Sequence, residues 1–171
     1  PSIDNVAISY GFTPDLTIPS ILKLEREIVF GEESVKVNSW QRSSVEGVWA
    51  AGEVTGIGGH ELAISEGKVA ALDMLEKNFA TVLTKINRFR ERLFARGLAK
   101  IYQPPKEWID WSPEDFIVCR CEEVSKSEII DSFEKLGADS ARTSKLFTRA
   151  GMGMCQGRIC HRNVSDLAER F

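Results

Sequence analysis

The four cysteines are the residues whose type and spacing carry the most chemistry. Cys119 and Cys121 form one close pair, and Cys155 and Cys160 form a second pair farther along the chain. Thiolates are ligands for soft metals and for iron–sulfur clusters. Scattered buried thiols would have no reason to occur as two close pairs on short irregular stretches, so this spacing predicts four ligands that converge on one site.

Three kinds of site use four thiols. Disulfides need an oxidising compartment, and a bridge within Cys-x-Cys would be strained. Structural zinc accepts four thiolates, but its usual pairs are separated by two to four residues, so Cys-x-Cys is an uncommon half-site. A [2Fe–2S] cluster is also held by four thiolates, and each of its two irons needs a pair. The spacing favours a cluster, and the alternative is a zinc-binding scaffold or assembly module with no redox role.

The sequence around the cysteines carries a family resemblance. The segments "CRCEEV" and "TRAGMGMCQGRIC" resemble the bacterioferritin-associated ferredoxin-like (BFD-like) [2Fe–2S] domain, in the form found at the C-terminus of flavoprotein subunits of opine oxidases, hydrogen cyanide synthase and related amino-acid dehydrogenases. The resemblance covers about residues 116–171. It implies that the metal ligands are Cys119, Cys121, Cys155 and Cys160. The intervening glycines would let the backbone approach the cluster closely.

A glycine-rich segment at residues 47–71 is the second candidate site. "GVWAAGEVTGIGGHELAISEGKVAA" predicts a strand, a glycine loop with one acid, and a helix, and a helix start of this kind attracts phosphates. The full G-x-G-x-x-G fingerprint is absent because Glu61 stands where its third glycine would be. A plain turn between strand and helix is the alternative interpretation.

This segment is similar to the second FAD-binding motif of pyridine nucleotide-disulfide oxidoreductases. The resemblance implies that an acid, here glutamate where many relatives carry aspartate, bonds the ribityl chain of FAD. The residues expected on the flavin side are Gly52, Glu53, Gly58, Gly59 and His60. The fingerprint that binds the ADP half of FAD is not in these 171 residues, and the chain opens on Pro1, so we expect a piece of a longer protein that shares its FAD with upstream sequence.

Hydrophobic patterns predict the elements that position these sites. From Asp4 to Ala51, the runs "NVAISY", "REIVF", "VKVNSW" and "GVWAAG" predict strands. A helix should follow the glycine loop, and a second should run from about Thr81 to Lys100. Its apolar stripe (Val82, Ile86, Phe89 and Leu93) is surrounded by basic residues. Such a helix can bind an anionic membrane surface, but a solvent-facing or docking role is commoner and is the one we expect.

The rest of the chain predicts a linker and a helical module. Residues 102–115 are rich in proline and tryptophan, and Trp108 and Trp111 are too large to be left wholly in water. Three short helices should follow, the first with Ser125 and Glu128 as a capping box.

The predicted fold class is therefore α/β, the C-terminal part of a FAD-binding Rossmann-like domain followed by a small mainly helical [2Fe–2S] domain. The expected domains are 1–80 for the returning FAD part, 81–115 for the connector and linker, and 116–171 for the cluster module.

Composition and charge limit the class of function. With 43% hydrophobic and 27% charged residues the chain is globular, and a net charge of −3 gives no global reason to expect nucleic acid as a partner. No apolar run is long enough to span a bilayer, so we expect a cytoplasmic protein. We predict an electron-transfer subunit of an FAD and [2Fe–2S] oxidoreductase complex. Its expected partner is a flavin-containing catalytic subunit that oxidises an amino acid, imino acid or opine, and no residue of this chain is expected to be catalytic.

Overall fold

The structure is a computed structural model that describes residues 4–5, 11–77, 81–102 and 107–171. The side chains of Thr81 and Val82 are outside this description. The chain divides into two compact units, Pro1–Gln103 and Pro104–Phe171. Among the described helices, none is both long and apolar enough to cross a lipid bilayer.

The first unit begins with a short helix and a β-hairpin. Helix α1 spans Thr17–Ile21, and strands β1 (Arg26–Val29) and β2 (Glu32–Val35) pair antiparallel. Both residues of the intervening turn, Phe30 and Gly31, have positive φ angles of 56° and 89°. Turns with two positive φ angles match the right-handed twist of a hairpin, which is why a two-residue connection suffices here. The strand predicted from "REIVF" is confirmed.

Two other predicted strands are wrong. Only Val35 of "VKVNSW" lies in a strand, because the side chain of Asn38 accepts hydrogen bonds from the backbone N–H groups of Trp40 (2.8 Å) and Arg42 (3.1 Å) and turns the chain. The run "GVWAAG" contributes a single bridge between Trp49 and Arg42, flanked by backbone hydrogen bonds from Ser43 to Val48 and from Ala50 to Gln41. The predicted strand "NVAISY" lies largely outside the described residues.

Two helices complete the first unit and confirm the helical predictions. Helix α2 spans His60–Met74 and packs against α3, which spans Thr81–Tyr102. Leu62 and Val69 of α2 and Ala95 of α3 are buried.

The orientation of α3 leaves the described part of its apolar stripe exposed. Ile86, Phe89 and Leu93 are exposed, whereas Arg88 and Arg92 are partly buried. The guanidinium of Arg88 donates to Gln41 (2.7 Å), and that of Arg92 contacts the buried carboxylate of Glu66 (3.3 Å). Polar partners in the interior therefore decide which face of this helix turns inward.

The second unit is mainly helical. A two-stranded antiparallel sheet of β3 (Ile117–Cys119) and β4 (Val124–Ser125) precedes three helices, α5 (Lys126–Glu134), α6 (Ala141–Thr148) and α7 (His161–Ala168). Their shared core contains Val118, Ile129 and Leu167. The predicted capping box at the start of α5 is confirmed, because Ser125 Oγ accepts the N–H of Glu128 and the Glu128 carboxylate accepts the N–H of Ser125.

The segment rich in proline and tryptophan holds one short helix, α4 (Trp108–Trp111). Ile109 is buried in the core of the second unit, and Trp108 Nε1 donates to Asp166 Oδ2 (3.1 Å). Trp111 is 70% exposed, because one turn of helix cannot direct every large side chain to the same side.

Candidate metal centre

Two short connections carry the four cysteines. Cys119 ends β3, and Cys121 lies in the turn before β4. Cys155 lies in the loop between α6 and α7, and Cys160 directly precedes the first residue of α7. All four are free thiols.

The structure brings the two connections together and pairs the thiols between them. Cys119 interacts with Cys160, and Cys121 interacts with Cys155, so each pair joins one loop to the other. Cys119 and Cys160 are buried, whereas Cys121 is exposed and Cys155 is half-buried. The centre thus has a buried edge and a solvent-facing edge. Among the described residues, no three or more histidine, cysteine or acidic side chains lie close enough together to hold one metal ion.

Glycines allow the loops to approach this closely. A Cβ on Gly153 would lie 2.2 Å from the Cβ of Cys121, a separation that two non-bonded carbon atoms cannot adopt without a shift of one loop. Gly151 has a positive φ of 83°, and its backbone N–H points at Cys119 Sγ (3.5 Å). An ion pair between Arg149 Nε and Glu122 Oε2 (2.8 Å) ties the loops together beside the thiols. These contacts form a cradle that a single added methyl group would block.

The surroundings lower the pKa of Cys119 and Cys155 and raise the pKa of Cys160. Burial disfavours the Cys119 thiolate, but backbone N–H groups of Gly151 and Glu122 outweigh burial and lower its pKa. The backbone N–H of Ile159 lowers the pKa of Cys155. Burial, with the neighbouring Cys119, raises the pKa of Cys160 to about 12. A metal that binds all four thiols must therefore displace a tightly held proton from Cys160.

The donor set fits an iron–sulfur centre. Four sulfur ligands in two pairs match a [2Fe–2S] cluster, in which each iron takes two protein thiolates. The backbone N–H of Gly151 points at Cys119 Sγ, and that of Ile159 hydrogen-bonds Cys155. Hydrogen bonds of this kind tune the reduction potential of iron–sulfur clusters.

The second candidate site is the loop that precedes α2 in the first unit. Gly52 adopts φ 84° and ψ −157°, a conformation essentially restricted to glycine. Glu53 is exposed, and its Oε1 accepts the backbone N–H of Gly59 (2.9 Å). His60 begins α2 and contacts Glu61 (3.0 Å), and a Cβ on Gly58 would collide with Leu62. The five predicted residues therefore lie on one loop around the start of α2.

Sequence reasoning missed the residue that holds this loop in place. The carboxylate of Glu66, 1% exposed, accepts hydrogen bonds from the backbone N–H of Gly52 (2.8 Å) and the hydroxyl of Thr55 (2.8 Å). Burial raises the pKa of Glu66 in spite of these bonds and of Arg92 nearby. Its position was a usable signal, because Glu66 lies four residues after Leu62 and three before Val69, on the buried face of α2.

The second unit is therefore a small, mainly helical domain built around four thiols from two loops. Residues 117–170 match the family described as BFD-like [2Fe-2S] binding domain, and this segment of the chain belongs to it. The resemblance inferred from the cysteine spacing is confirmed.

The chain as a whole is similar to components of two kinds of oxidoreductase. It is 32% identical to hydrogen cyanide synthase subunit HcnB of Pseudomonas aeruginosa, over 96% of this chain and 38% of that protein. It is 37% identical to an opine oxidase subunit of Rhizobium meliloti, over 74% of this chain and 29% of that protein. The chain thus spans well under half the length of these relatives.

One solved structure has the same fold. The crystal structure of L-proline dehydrogenase from P. horikoshii matches 92% of this chain and 32% of that chain, with a TM-score of 0.66 and 21% identity. This likeness, together with the BFD-like match, confirms the predicted fold class.

Proposed function

We propose that this chain is the electron-transfer part of an FAD and [2Fe–2S] oxidoreductase complex. The cluster would be held by Cys119, Cys121, Cys155 and Cys160. The observation that carries the proposal is the pairing of these thiols across two loops, inside the segment that matches a [2Fe–2S] binding family. A [2Fe–2S] cluster carries one electron at a time, whereas a flavin accepts two and can release them singly.

The residues of the chain prepare the ligand set before metal arrives. Backbone N–H groups lower the pKa of Cys119 and of Cys155, so in each pair one thiol is shifted toward its thiolate form. The solvent-facing edge at Cys121 gives external electron carriers access to the cluster, while Cys119 and Cys160 shield the other edge from water. This asymmetry supports a role in exchanging electrons rather than a purely structural one.

The glycine loop supports a flavin-side role for the first unit. We assign Gly52, Glu53, Gly58, Gly59 and His60 to the FAD contact, with the remaining FAD contacts supplied by sequence outside this chain. The hydrogen bond from Gly59 to Glu53 holds the carboxylate in front of the helix start, where it can accept a ligand hydroxyl. The buried carboxylate of Glu66 positions the same loop, because it accepts hydrogen bonds from Gly52 and Thr55.

The partner proposed from the relatives is a flavin-containing catalytic subunit that oxidises an amino acid, imino acid or opine. Two similar proteins are named as subunits, one of hydrogen cyanide synthase and one of opine oxidase, which supports a partner subunit for this chain. We propose that residues 1–80 belong to the FAD part and that residues 116–171 are the cluster module. Residues 81–115 would connect them, with α3 packed in the first unit and α4 in the second. The proposed location is the cytoplasm.

Metal analysis of the full chain, purified anaerobically, tests the cluster. We expect about two irons and two acid-labile sulfides per chain and an S = ½ signal in electron paramagnetic resonance after dithionite reduction. Cys119→Ser and Cys155→Ser should each abolish or strongly alter that signal, whereas Met154→Leu, next to Cys155 but 95% exposed, should leave it unchanged. Stoichiometric zinc without iron or sulfide would instead establish the zinc-binding scaffold.

Flavin fluorescence tests the loop. FAD titrated with the full chain should be quenched, and Glu53→Ala should weaken the quenching while Glu46→Ala, an exposed acid outside the glycine loop, should not. Equal titrations for both variants would contradict the role assigned to Glu53.

A further inference from the structure

A cleft in the first unit lies between the β-hairpin and the C-terminal half of α3. Its volume is about 400 Å³, which is in the range of small-molecule sites. The hairpin contributes Glu27, Phe30 and Gly31 to its lining, and the helix contributes basic side chains. None of the residues assigned to the FAD loop or to the cluster lines it, so this site goes beyond the proposed function.

Three cations line the helical side of the cleft at intervals of four residues: Arg92, Arg96 and Lys100. Successive members are separated by about 6 Å along the helix axis, so the row extends for about 12 Å. Only one carboxylate, that of Glu27, lines the cleft with them. The cleft therefore has an excess of positive charge arranged in a line.

The cations differ in how they are held. Arg92 contacts Glu66 (3.3 Å), and its guanidinium carbon lies 5.9 Å from the centre of the Phe30 ring. The side chains of Arg96 and Lys100 are exposed and form no ion pair or hydrogen bond within the described part of the chain. Arg92 is thus fixed in the wall, whereas the other two are available to a ligand.

We propose that this cleft binds a small molecule that carries two adjacent phosphate groups. Arginine donates paired hydrogen bonds that match phosphate oxygens. A row in which Arg96 and Lys100 have no ion pair among the described residues suits a group with several negative charges better than a single carboxylate. The half-buried ring of Phe30 supplies a flat apolar wall beside the row, against which a nucleoside base can stack.

Isothermal titration calorimetry on the full chain tests the site with two probes, inorganic pyrophosphate and a nucleoside diphosphate. We expect saturable binding of both, weakened about tenfold or more by Arg96→Gln and by Lys100→Gln, because each removes a charge-assisted contact. Arg96→Lys should fall between the wild type and Arg96→Gln, because lysine keeps the charge but not the paired donors. The matched control is Arg90→Gln, an exposed arginine of the same helix outside the cleft, which should change the affinity less than twofold.

The same titrations separate the two sources of a diphosphate. If the nucleoside diphosphate binds more tightly than pyrophosphate and Phe30→Leu removes that difference, the ligand is a nucleotide. If the two probes bind equally and Phe30→Leu changes neither affinity, the phosphate groups alone are recognised. Both outcomes support the proposal. Failure of both probes to bind saturably at millimolar concentration, or an equal loss in Arg90→Gln and Arg96→Gln, would overturn it.

Discussion

Replacing Gly153 by alanine should destabilise the fold and lower the iron content of the protein together. The new Cβ would lie 2.2 Å from the Cβ of Cys121 and 3.4 Å from its Cα. Neither neighbour is the far end of a flexible side chain, so the backbone of one loop must move away from the other. That movement would separate the loop that carries Cys155 from the turn that carries Cys121.

The magnitude follows from the overpacking. Forcing an extra carbon into a packed site costs about 1–3 kcal/mol. For a chain of 150–250 residues, each 1 kcal/mol lowers the melting temperature by about 2–4 °C, which gives a fall of roughly 2–12 °C. Differential scanning calorimetry of the metal-free chain measures this term without any contribution from a cluster. Iron and sulfide content of the anaerobically purified variant measures the loss of ligand geometry.

The neighbouring residue gives a matched control. Met154 is 95% exposed, so Met154→Ala should leave the melting temperature and the iron content unchanged. An unchanged melting temperature and a full iron complement in Gly153→Ala would refute the reasoning, because the two loops would then not need the close approach described here.

Two further substitutions test the electrostatics and the capping. Burial raises the pKa of Glu66 in the folded state, so the folded protein binds that proton more tightly than the unfolded chain does. The free energy of unfolding should therefore fall as pH rises from about 4.3, the pKa of an unfolded glutamate, through the raised pKa. Glu66→Gln should remove this part of the pH dependence when unfolding is measured by urea titration at several pH values. The same dependence of unfolding free energy on pH in both proteins would contradict the reasoning. Ser125→Ala removes the cap of α5 and should cost about 1 kcal/mol in the free energy of unfolding, and a loss below about 0.3 kcal/mol, again by urea titration, would argue against a stabilising capping box.

Local signals in the sequence were sufficient for the ligand-bearing loops and for the longer helices, but not for the short helices α1 and α4. Cysteine spacing identified the two loops, the capping box located the start of α5, and hydrophobic periodicity located α2 and α3. These features depend on residues close together in the chain, which is why they can be predicted without tertiary information.

The failures have a tertiary cause. The sequence did not indicate which basic side chains of α3 turn inward, because buried Glu66 and Gln41 need partners and take Arg92 and Arg88. The β-branched residues of "VKVNSW" favour a strand, yet the Asn38 side chain forms a turn that overrides their preference. The pairing of each thiol with one from the other loop also depends on how α5, α6 and α7 pack.

The origin of the thiols in two distant loops has a consequence for the lifetime of the protein. A cluster bound by Cys121 and Cys155 would close a covalent ring around α5 and α6, as a disulfide would. By the chain-entropy relation for disulfides, closing a ring of about 35 residues is worth roughly 4 kcal/mol. Oxidative loss of the cluster would therefore open the ring and raise the unfolded fraction by about three orders of magnitude. Iron supply would then limit how long this polypeptide survives proteolysis.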